Sequence, residues 1–260
     1  MRAMAHSETL SPAPALSPLA PPPRLALDRI ALFLDFDGTL AEIVPTPDEA
    51  RLDAALGLTL ARLSERLDGR LAILSGRDVK TLARLTGLPG LPMAGVHGLE
   101  RRRAGGRLQR PAPAGGMEGA RMRLNDLVAR EPGLLLEDKG LSLALHYRGA
   151  PGLASVAHSR ARLVAEQFGL ALQTGKMVIE LRQPGADKGM ALNAFMAEPP
   201  FAGALPWMLG DDDTDESAFA AAVAAGGGAV RIGPARAGTA ATHGLADVPQ
   251  VARWLEELAR

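Results

Sequence analysis

The stretch LFLDFDGTL places two carboxylates, Asp35 and Asp37, two positions apart at the end of an apolar run. Side chains two positions apart on a strand point the same way, so both carboxylates face one cavity while Phe36 turns into the core. Gly38 lets the chain leave the strand sharply and approach a ligand closely. Adjacent carboxylates repel, which raises the proton affinity of one unless a cation lies between them. The pair therefore indicates a shared proton or a hard metal ion.

A second acidic cluster, GDDDTDE at 210–216, follows another apolar run far along the chain. Oxygen ligands beside a phosphate favour magnesium, which keeps several waters and takes one or two protein carboxylates. A calcium loop is excluded, because Glu216 stands at the sixth position, where that loop needs glycine, and Ala222 at the twelfth, where it needs glutamate. The alternative is a solvated acidic face.

Two further residues suit a bound phosphate. Ser75 ends the apolar run LAIL and offers a hydroxyl, and Lys188 stands at the start of a predicted helix, where the backbone N–H groups and a cation attract anions. Each feature alone has an ordinary explanation, such as a turn, a helix start or a solvated lysine. Ligands of open parallel sheets bind at the carboxyl ends of the strands, so together the four features predict one crevice.

The composition narrows the class of partner. The 260 residues include 29 basic and 29 acidic ones, so the formal charge is zero and nothing indicates binding to nucleic acid or to an anionic membrane. The absence of cysteine excludes disulfides and thiolate metal sites. No apolar run approaches the roughly 20 residues that span a bilayer, and the start lacks the apolar segment of a secretory signal. We expect a cytoplasmic monomer that acts on a small molecule.

Strand and helix patterns alternate from Ile30 onward. The run IALFLD predicts a strand covered on both faces, and leucines at 52, 56, 60, 63 and 67 predict a helix over 48–68, begun by Asp48 and ended by Gly69. Asp78 and Gly87 bound a further predicted helix after the strand LAILSG. Alternating strands and helices indicate an α/β fold with a parallel sheet.

The middle of the chain has a different order: a helix near 114–130, two strands, a helix near 152–168 and two more strands. This order predicts a small α+β unit with an antiparallel sheet, inserted into the α/β core. The predicted division is a disordered proline-rich tail over 1–24, the first part of the core over 25–107, the inserted domain over 108–183 and the second part of the core over 184–260.

At this point the chain resembles the haloacid dehalogenase (HAD) superfamily of phosphohydrolases, with DFDGT, Ser75, Lys188 and GDDDTD as its four motifs. The resemblance implies a Rossmann-like parallel-sheet core with an inserted α+β cap domain. More narrowly, GVHGLE at 95–100, LHYRGAP at 145–151 and KMVIELR at 176–182 resemble motifs of the trehalose-6-phosphate phosphatase family. One departure is Gln183, where that family more often has proline.

The resemblance implies a reaction and the groups that carry it. Asp35 would be the nucleophile that forms an aspartyl-phosphate, and Asp37 would protonate the departing sugar oxygen and later activate water. Ser75 and Lys188 would hold phosphate oxygens. One Mg2+ would be held by Asp35, the Asp37 carbonyl and Asp211, with Asp215 orienting its waters. The spare carboxylate of Asp213 leaves the ligand from the second cluster open.

The resemblance also nominates residues that bind the sugar: Arg77, His97, Gly98 and Glu100 from the core, and Arg148, Lys176 and Glu180 from the cap. Alternatively, His97 is a core histidine with satisfied hydrogen bonds, and the three charged cap residues face solvent from their strands.

Three other functions compete with this interpretation. The first is another capped sugar phosphatase, acting on sucrose phosphate or a mannosyl phosphate. The second is a signalling receiver, against which the second carboxylate of Asp37, the insertion and the length of the chain argue. The third is a catalytically silent regulatory domain, for which the intact Asp35, Asp37, Lys188 and Asp211 leave no visible reason.

Overall fold

The computed structural model describes residues 18–44, 49–103, 105–175 and 177–260. These residues form one eight-stranded and one four-stranded sheet, in the orders β12-β11-β10-β1-β2-β3-β4-β5 and β6-β7-β9-β8. The strands of the larger sheet are β1 (Ile30–Leu34), β2 (Leu71–Leu74), β3 (Met93–Gly95), β4 (Glu100–Arg102), β5 (Leu108–Gln109), β10 (Leu205–Gly210), β11 (Gly228–Ile232) and β12 (His243–Leu245). Those of the smaller sheet are β6 (Leu135–Asp138), β7 (Ser142–His146), β8 (Ala171–Gly175) and β9 (Val178–Arg182).

The larger sheet is parallel through its centre. Strand β1 pairs in parallel with both β10 and β2, and only β4 and β5 at one edge are antiparallel. Helices cover both faces: α1 (Ala54–Arg66), α2 (Val79–Thr86), α5 (Lys188–Met196), α6 (Glu216–Ala224) and α7 (Val248–Leu258). Leu32 packs with α1, α2 and α7, whereas its neighbour Phe33 packs with α5 and α6. Burial on both faces explains why β1 is a continuous apolar run, and it confirms the predicted α/β class.

The smaller sheet is antiparallel throughout. Helices α3 (Met117–Arg130) and α4 (Ala154–Phe168) pack on one face, where Leu143, Leu145, Ile179 and Leu181 are buried. Alternate residues of the same strands, among them Ser142 and Glu180, point to the opposite face. The order of helices and strands is the one that the sequence predicts.

Some predicted boundaries are wrong. Helix α1 begins at Ala54, because the carboxylate of Asp53 accepts hydrogen bonds from the N–H groups of Ala55 and Leu56. The proposed cap Asp48 lies outside the described residues. The predicted insertion begins at 108, but β5 pairs with β4 in the larger sheet.

The N-terminal segment corrects another prediction. Residues 1–17 lie outside the described residues, whereas residues 18–24, which belong to the predicted disordered tail, pack on the core. Ala20 O accepts a hydrogen bond of 2.9 Å from Gly244 N of β12, and Pro22 is buried. The segment thus lies against the β12 edge of the larger sheet. Within the described ranges, no helix has the length and apolar character needed to cross a membrane.

Candidate active site

The carboxyl ends of three neighbouring strands meet at one edge of the larger sheet. Asp35 follows β1, Ser75 follows β2 and Asp211 follows β10, and Lys188 lies in the first turn of α5. The ammonium of Lys188 donates to Asp35 Oδ1 at 2.7 Å and to Asp215 Oδ1 at 2.6 Å. Residues separated by up to 180 positions therefore converge, since parallel strands bring their carboxyl ends to the same edge.

Asp35, Asp211 and Asp215 form an acidic cluster, in which one carboxylate oxygen of each lies within 4.8 Å of the others. Burial, together with the negative charges of Asp215 and Asp211, raises the pKa of Asp35 well above its usual value, although Lys188 opposes the shift. Burial and the neighbouring carboxylates of Asp215 and Asp212 raise the pKa of Asp211 to about 7. Burial alone would lower the pKa of Lys188, but Asp215 and Asp35 raise it.

The cluster suits a hard divalent cation. Its donors are all carboxylate oxygens, and three carboxylates face a single ammonium, so the negative charge exceeds what Lys188 can balance. Burial is the main cause of the raised pKa values of Asp35 and Asp211, and the neighbouring carboxylates add to it. A divalent cation there would offset the repulsion between the neighbouring carboxylates.

The three consecutive aspartates in the loop after β10 make different contacts. Gly38, at a φ of +79°, lies so close to this loop that a Cβ atom would stand 2.1 Å from Asp211 Oδ2. Asp212 accepts from the N–H of Asp213 and so begins the helical turn that follows. Asp213 pairs with Arg236. Of the three consecutive aspartates, only Asp211 belongs to the described acidic cluster.

Asp37 points elsewhere. Its two carboxylate oxygens accept from Nε and Nη2 of Arg77, both at 2.6 Å, and the Arg77 guanidinium stacks 5.6 Å from the centre of the Phe36 ring. The carboxylate is therefore not among the oxygens of the acidic cluster. The predicted metal contact through the Asp37 carbonyl stays a prediction.

Ser75 is buried beside these groups. Its Oγ accepts from the N–H of Arg77 at 3.2 Å, and its carbonyl accepts from the N–H of His97 at 3.0 Å. These two bonds fix the SGR turn against the turn that contains His97. Gly76 is required between them, because a Cβ atom there would lie 2.7 Å from the His97 ring.

A buried polar network joins the two sheets. Glu180 of β9 contacts His97 Nε2 at 3.2 Å, accepts from Ser142 Oγ and lies 3.4 Å from the ammonium of Lys139. Lys139 also donates to the carbonyl of Gly76 at 3.2 Å. Burial would raise the pKa of Glu180, but Lys139, His97 and Ser142 together lower it strongly. The sequence interpretation missed Lys139, although the turn EDKG between two predicted strands marks it as a loop residue.

The other predicted sugar-binding residues do not share one environment. Arg148 is exposed and donates to the carbonyl of Val44 at 3.3 Å, which links the smaller sheet to the loop after β1. Gly98 is packed against the start of α5, where a Cβ atom would lie 2.6 Å from Asp187 O. Lys176 lies outside the described residues.

Glu100 has two partners within the protein. Both of its carboxylate oxygens have partners within the protein, because one accepts from the N–H of Val79 at 2.9 Å and the other pairs with Arg110 at 3.3 Å. Val79 is the first residue of α2, so Glu100 satisfies a helix N-terminus. Glu100 is buried, and these contacts fix its side chain, while its predicted contact with the sugar stays a prediction.

A cavity of about 280 Å3 lies between the two sheets and reaches Lys188. Its walls are formed by His97, Gln173, Thr174, Arg182, Asp187, Lys188, Asp213, Thr214 and Ser217. The sequence interpretation named His97, Lys188 and Asp213 among these. It did not nominate Gln173, Thr174, Arg182, Asp187, Thr214 or Ser217, since nothing local distinguishes them from solvated polar residues. The site thus combines an acidic cluster that could hold a cation, a buried ammonium and a cavity with polar walls.

The stability of the Glu180 network should depend on pH. Because the pKa of Glu180 in the folded protein lies below its unfolded value, its contribution is complete above the unfolded value near 4.5 and declines as the pH falls toward the folded value. We expect Glu180→Gln to lower the free energy of unfolding by about 2 kcal/mol at pH 7, as for hydrogen bonds to a charged group. Urea titrations should show this difference narrowing below pH 4.5. The same change at the exposed Glu166 is the control, and a difference independent of pH would contradict the assignment.

Comparison with known proteins gives a consistent result. The sequence model of the trehalose-phosphatase family matches residues 33–248. A trehalose-6-phosphate phosphatase of Escherichia coli K12 is 41% identical over 241 residues, which cover 92% of this chain and 90% of that protein. The crystal structure of a trehalose-6-phosphate phosphatase related protein superposes with a TM-score of 0.76 at 29% identity, covering 88% of this chain and 96% of that one.

A more distant structure bears on the fold alone. A phosphatase of the haloalkanoate (HAD) enzyme superfamily from Bacteroides thetaiotaomicron has a TM-score of 0.63 at 14% identity, covering 91% of this chain and 97% of that one. The parallel sheet with an inserted antiparallel unit is therefore the HAD fold that the sequence motifs predict.

Proposed function

The chain belongs to the trehalose-phosphatase family, and from this premise we propose that it hydrolyses trehalose 6-phosphate to trehalose and inorganic phosphate. The observation that carries the proposal is the convergence of Asp35, Lys188 and the acidic cluster at one sheet edge, within a chain of this family. The reaction class is phosphoric monoester hydrolysis.

Asp35 is the nucleophile in this proposal. Lys188 donates to its Oδ1, which leaves Oδ2 for attack on phosphorus. As the Asp35–phosphorus bond forms, the bond between phosphorus and the sugar oxygen breaks, which gives an aspartyl-phosphate and divides the hydrolysis into two displacements. Water then attacks phosphorus, the bond to Asp35 breaks and inorganic phosphate leaves. Lys188 neutralises charge on the phosphoryl oxygens. The hydroxyl of Ser75 stabilises the same oxygens by donating a hydrogen bond.

Asp37 transfers the proton. It gives a proton to the departing sugar oxygen and takes one from the attacking water, so it returns to its starting state. The pair with Arg77 holds its carboxylate in one orientation. For the first step the proton must reside on Asp37, and the approach of an anionic phosphate toward Arg77 weakens that ion pair.

Mg2+ is the proposed cofactor, held by Asp35, Asp211 and the Asp37 carbonyl, with Asp215 beside it. When bound, it would neutralise phosphoryl charge and orient the reacting oxygens. The charge excess and the all-oxygen donor set of the acidic cluster support this assignment.

We also propose that the unit built from α3, α4 and β6 to β9 is a cap that recognises the disaccharide. Its polar face contributes Glu180, Lys139 and Arg148, and all three contact the core domain in the structure. Lys176 joins this set from the family resemblance. Residues divided between two domains meet only when the domains close, so sugar binding and exclusion of water from the aspartyl-phosphate are coupled.

Phosphate release from trehalose 6-phosphate tests the proposal. We expect turnover with millimolar Mg2+, a loss of activity with a chelator and its return when Mg2+ is added in excess. Sucrose phosphate, a mannosyl phosphate and p-nitrophenyl phosphate form the comparison panel. If kcat/KM is higher for sucrose phosphate or for the mannosyl phosphate than for trehalose 6-phosphate, the proposed substrate is wrong and that other sugar phosphate takes its place. No release from any ester would favour a silent regulatory domain.

A further inference from the structure

The acidic loop after β10 is held on its far side by an ion pair between a buried arginine and a half-buried glutamate. Arg231 of β11 is buried, and in the sheet register it lies directly beside Gly210, the last residue before the loop. Its Nη1 pairs with Glu216 Oε1 at 3.4 Å, and its Nε donates to Pro234 O at 3.2 Å. None of these four residues belongs to the catalytic or binding groups described above.

Glu216 is fixed on both sides. Besides Arg231, it accepts from the N–H of Ala240 at 2.8 Å, so one carboxylate connects the first turn of α6 to β11 and to the loop that follows β11. The side chain of Arg231 is 9% exposed, and that of Glu216 is 27% exposed. Because both side chains also make hydrogen bonds to the backbone, their positions are fixed more firmly than those of a solvated surface ion pair.

Glu216 directly follows Asp215, whose placement allows little freedom. The Asp215 carboxylate is fully buried. It accepts hydrogen bonds from the ammonium of Lys188 at 2.6 Å and from the N–H of Asp212 at 3.0 Å. At Gly210 a Cβ atom would lie 2.3 Å from Asp215 Cγ, so the loop folds tightly back on the end of β10. A rotation of the first turn of α6 would therefore move Asp215 and change the spacing of the acidic cluster.

We propose that Arg231 and Glu216 are positioning residues that fix Asp215 and thereby set the cation affinity of the acidic cluster. Partners that orient metal-binding groups from outside typically change metal affinity 10- to 100-fold when they are removed. The inference rests on the proposed function only in that the cluster binds a divalent cation. It adds that a pair which contacts neither the cation nor the substrate controls how tightly the cation binds.

The test measures Mn2+ binding, as a paramagnetic probe for Mg2+, to the metal-free full chain by electron paramagnetic resonance. We expect Arg231→Met and Glu216→Gln each to raise the Kd of Mn2+ about tenfold. The double variant should raise it no more than either single change, because both remove the same interaction. At saturating Mg2+ the KM for trehalose 6-phosphate should be unchanged.

Glu198→Gln is the matched control. Glu198 pairs with Arg101 and Arg103 in the same domain, so this variant should lower Tm comparably without changing the Kd of Mn2+. Glu216→Gln keeps the size of the side chain. If Arg231→Met does not fold, the Kd of Mn2+ for Glu216→Gln tests the inference. A Kd within twofold of the native value, or additive effects in the double variant, would overturn the inference. Mn2+ binding is read without substrate, so failure to hydrolyse trehalose 6-phosphate leaves this test intact.

Discussion

Asp35→Asn should reduce the kcat for trehalose 6-phosphate by at least about 10⁴-fold, the scale on which removal of a covalent nucleophile acts. The amide has nearly the size of the carboxylate, so the burial of residue 35 and the neighbouring β1 pairing are preserved. An amide oxygen is a far weaker nucleophile toward phosphorus, and it carries no negative charge for Lys188 to pair with. Phosphate release at saturating Mg2+ and substrate gives the measurement.

Asp28→Asn provides the control for this change, since Asp28 is exposed and lies in the turn just before β1. It should retain native kcat. Substrate binding to Asp35→Asn, measured by calorimetry with trehalose 6-phosphate, should persist, because the proposed sugar and phosphate contacts come from other residues. Near-normal turnover by Asp35→Asn would place the nucleophile elsewhere and refute the mechanism.

Lys188→Met should affect both activity and stability. Lys188 is the buried ammonium that pairs with Asp35 and Asp215, and without it two buried carboxylates lose their common partner. Removal of one member of a buried ion pair typically costs about 3–5 kcal/mol, and we expect a loss of that order in the metal-free protein by urea titration. The loss of kcat should be about 10²- to 10³-fold, as for one electrostatic contact in the transition state.

Added Mg2+ separates the two roles of Lys188. A divalent cation at the acidic cluster supplies positive charge to the same carboxylates, so it should restore much of the stability of Lys188→Met but little of its activity, because the proposed contact with the phosphoryl oxygens is still missing. Lys80→Met, on the exposed side of α2, should change neither quantity. If Mg2+ stabilises the native protein and the variant equally, the cation does not bind at this cluster.

The sequence by itself determined the core of the fold and the convergence of its acidic and basic residues at one sheet edge. The continuous apolar run IALFLD predicts β1, and Asp78 and Gly87 bound the predicted helix α2, because burial and helix capping dictate those patterns locally. Once strands and helices alternate, a parallel sheet follows, and its carboxyl ends must share one edge. That rule brings Asp35, Lys188 and Asp211 together without any knowledge of coordinates.

Only the tertiary structure decided which partner each polar side chain takes. Asp37 pairs with Arg77, Asp213 with Arg236, and Glu100 with the start of α2. Such choices depend on rotamers and on residues distant in the chain, which local spacing does not encode. The strands β4, β5 and β12 have two or three residues each and are too short to show a period.

The same reason explains the network between the two sheets. Lys139, Glu180 and His97 are separated by up to 83 positions, and each looks like a solvated or solitary polar residue in the sequence. Their meeting is set by how the smaller sheet docks on the larger one, a consequence of packing between whole elements. The periodicity of the chain therefore determines which elements form, and long-range packing determines which side chains face one another across the crevice.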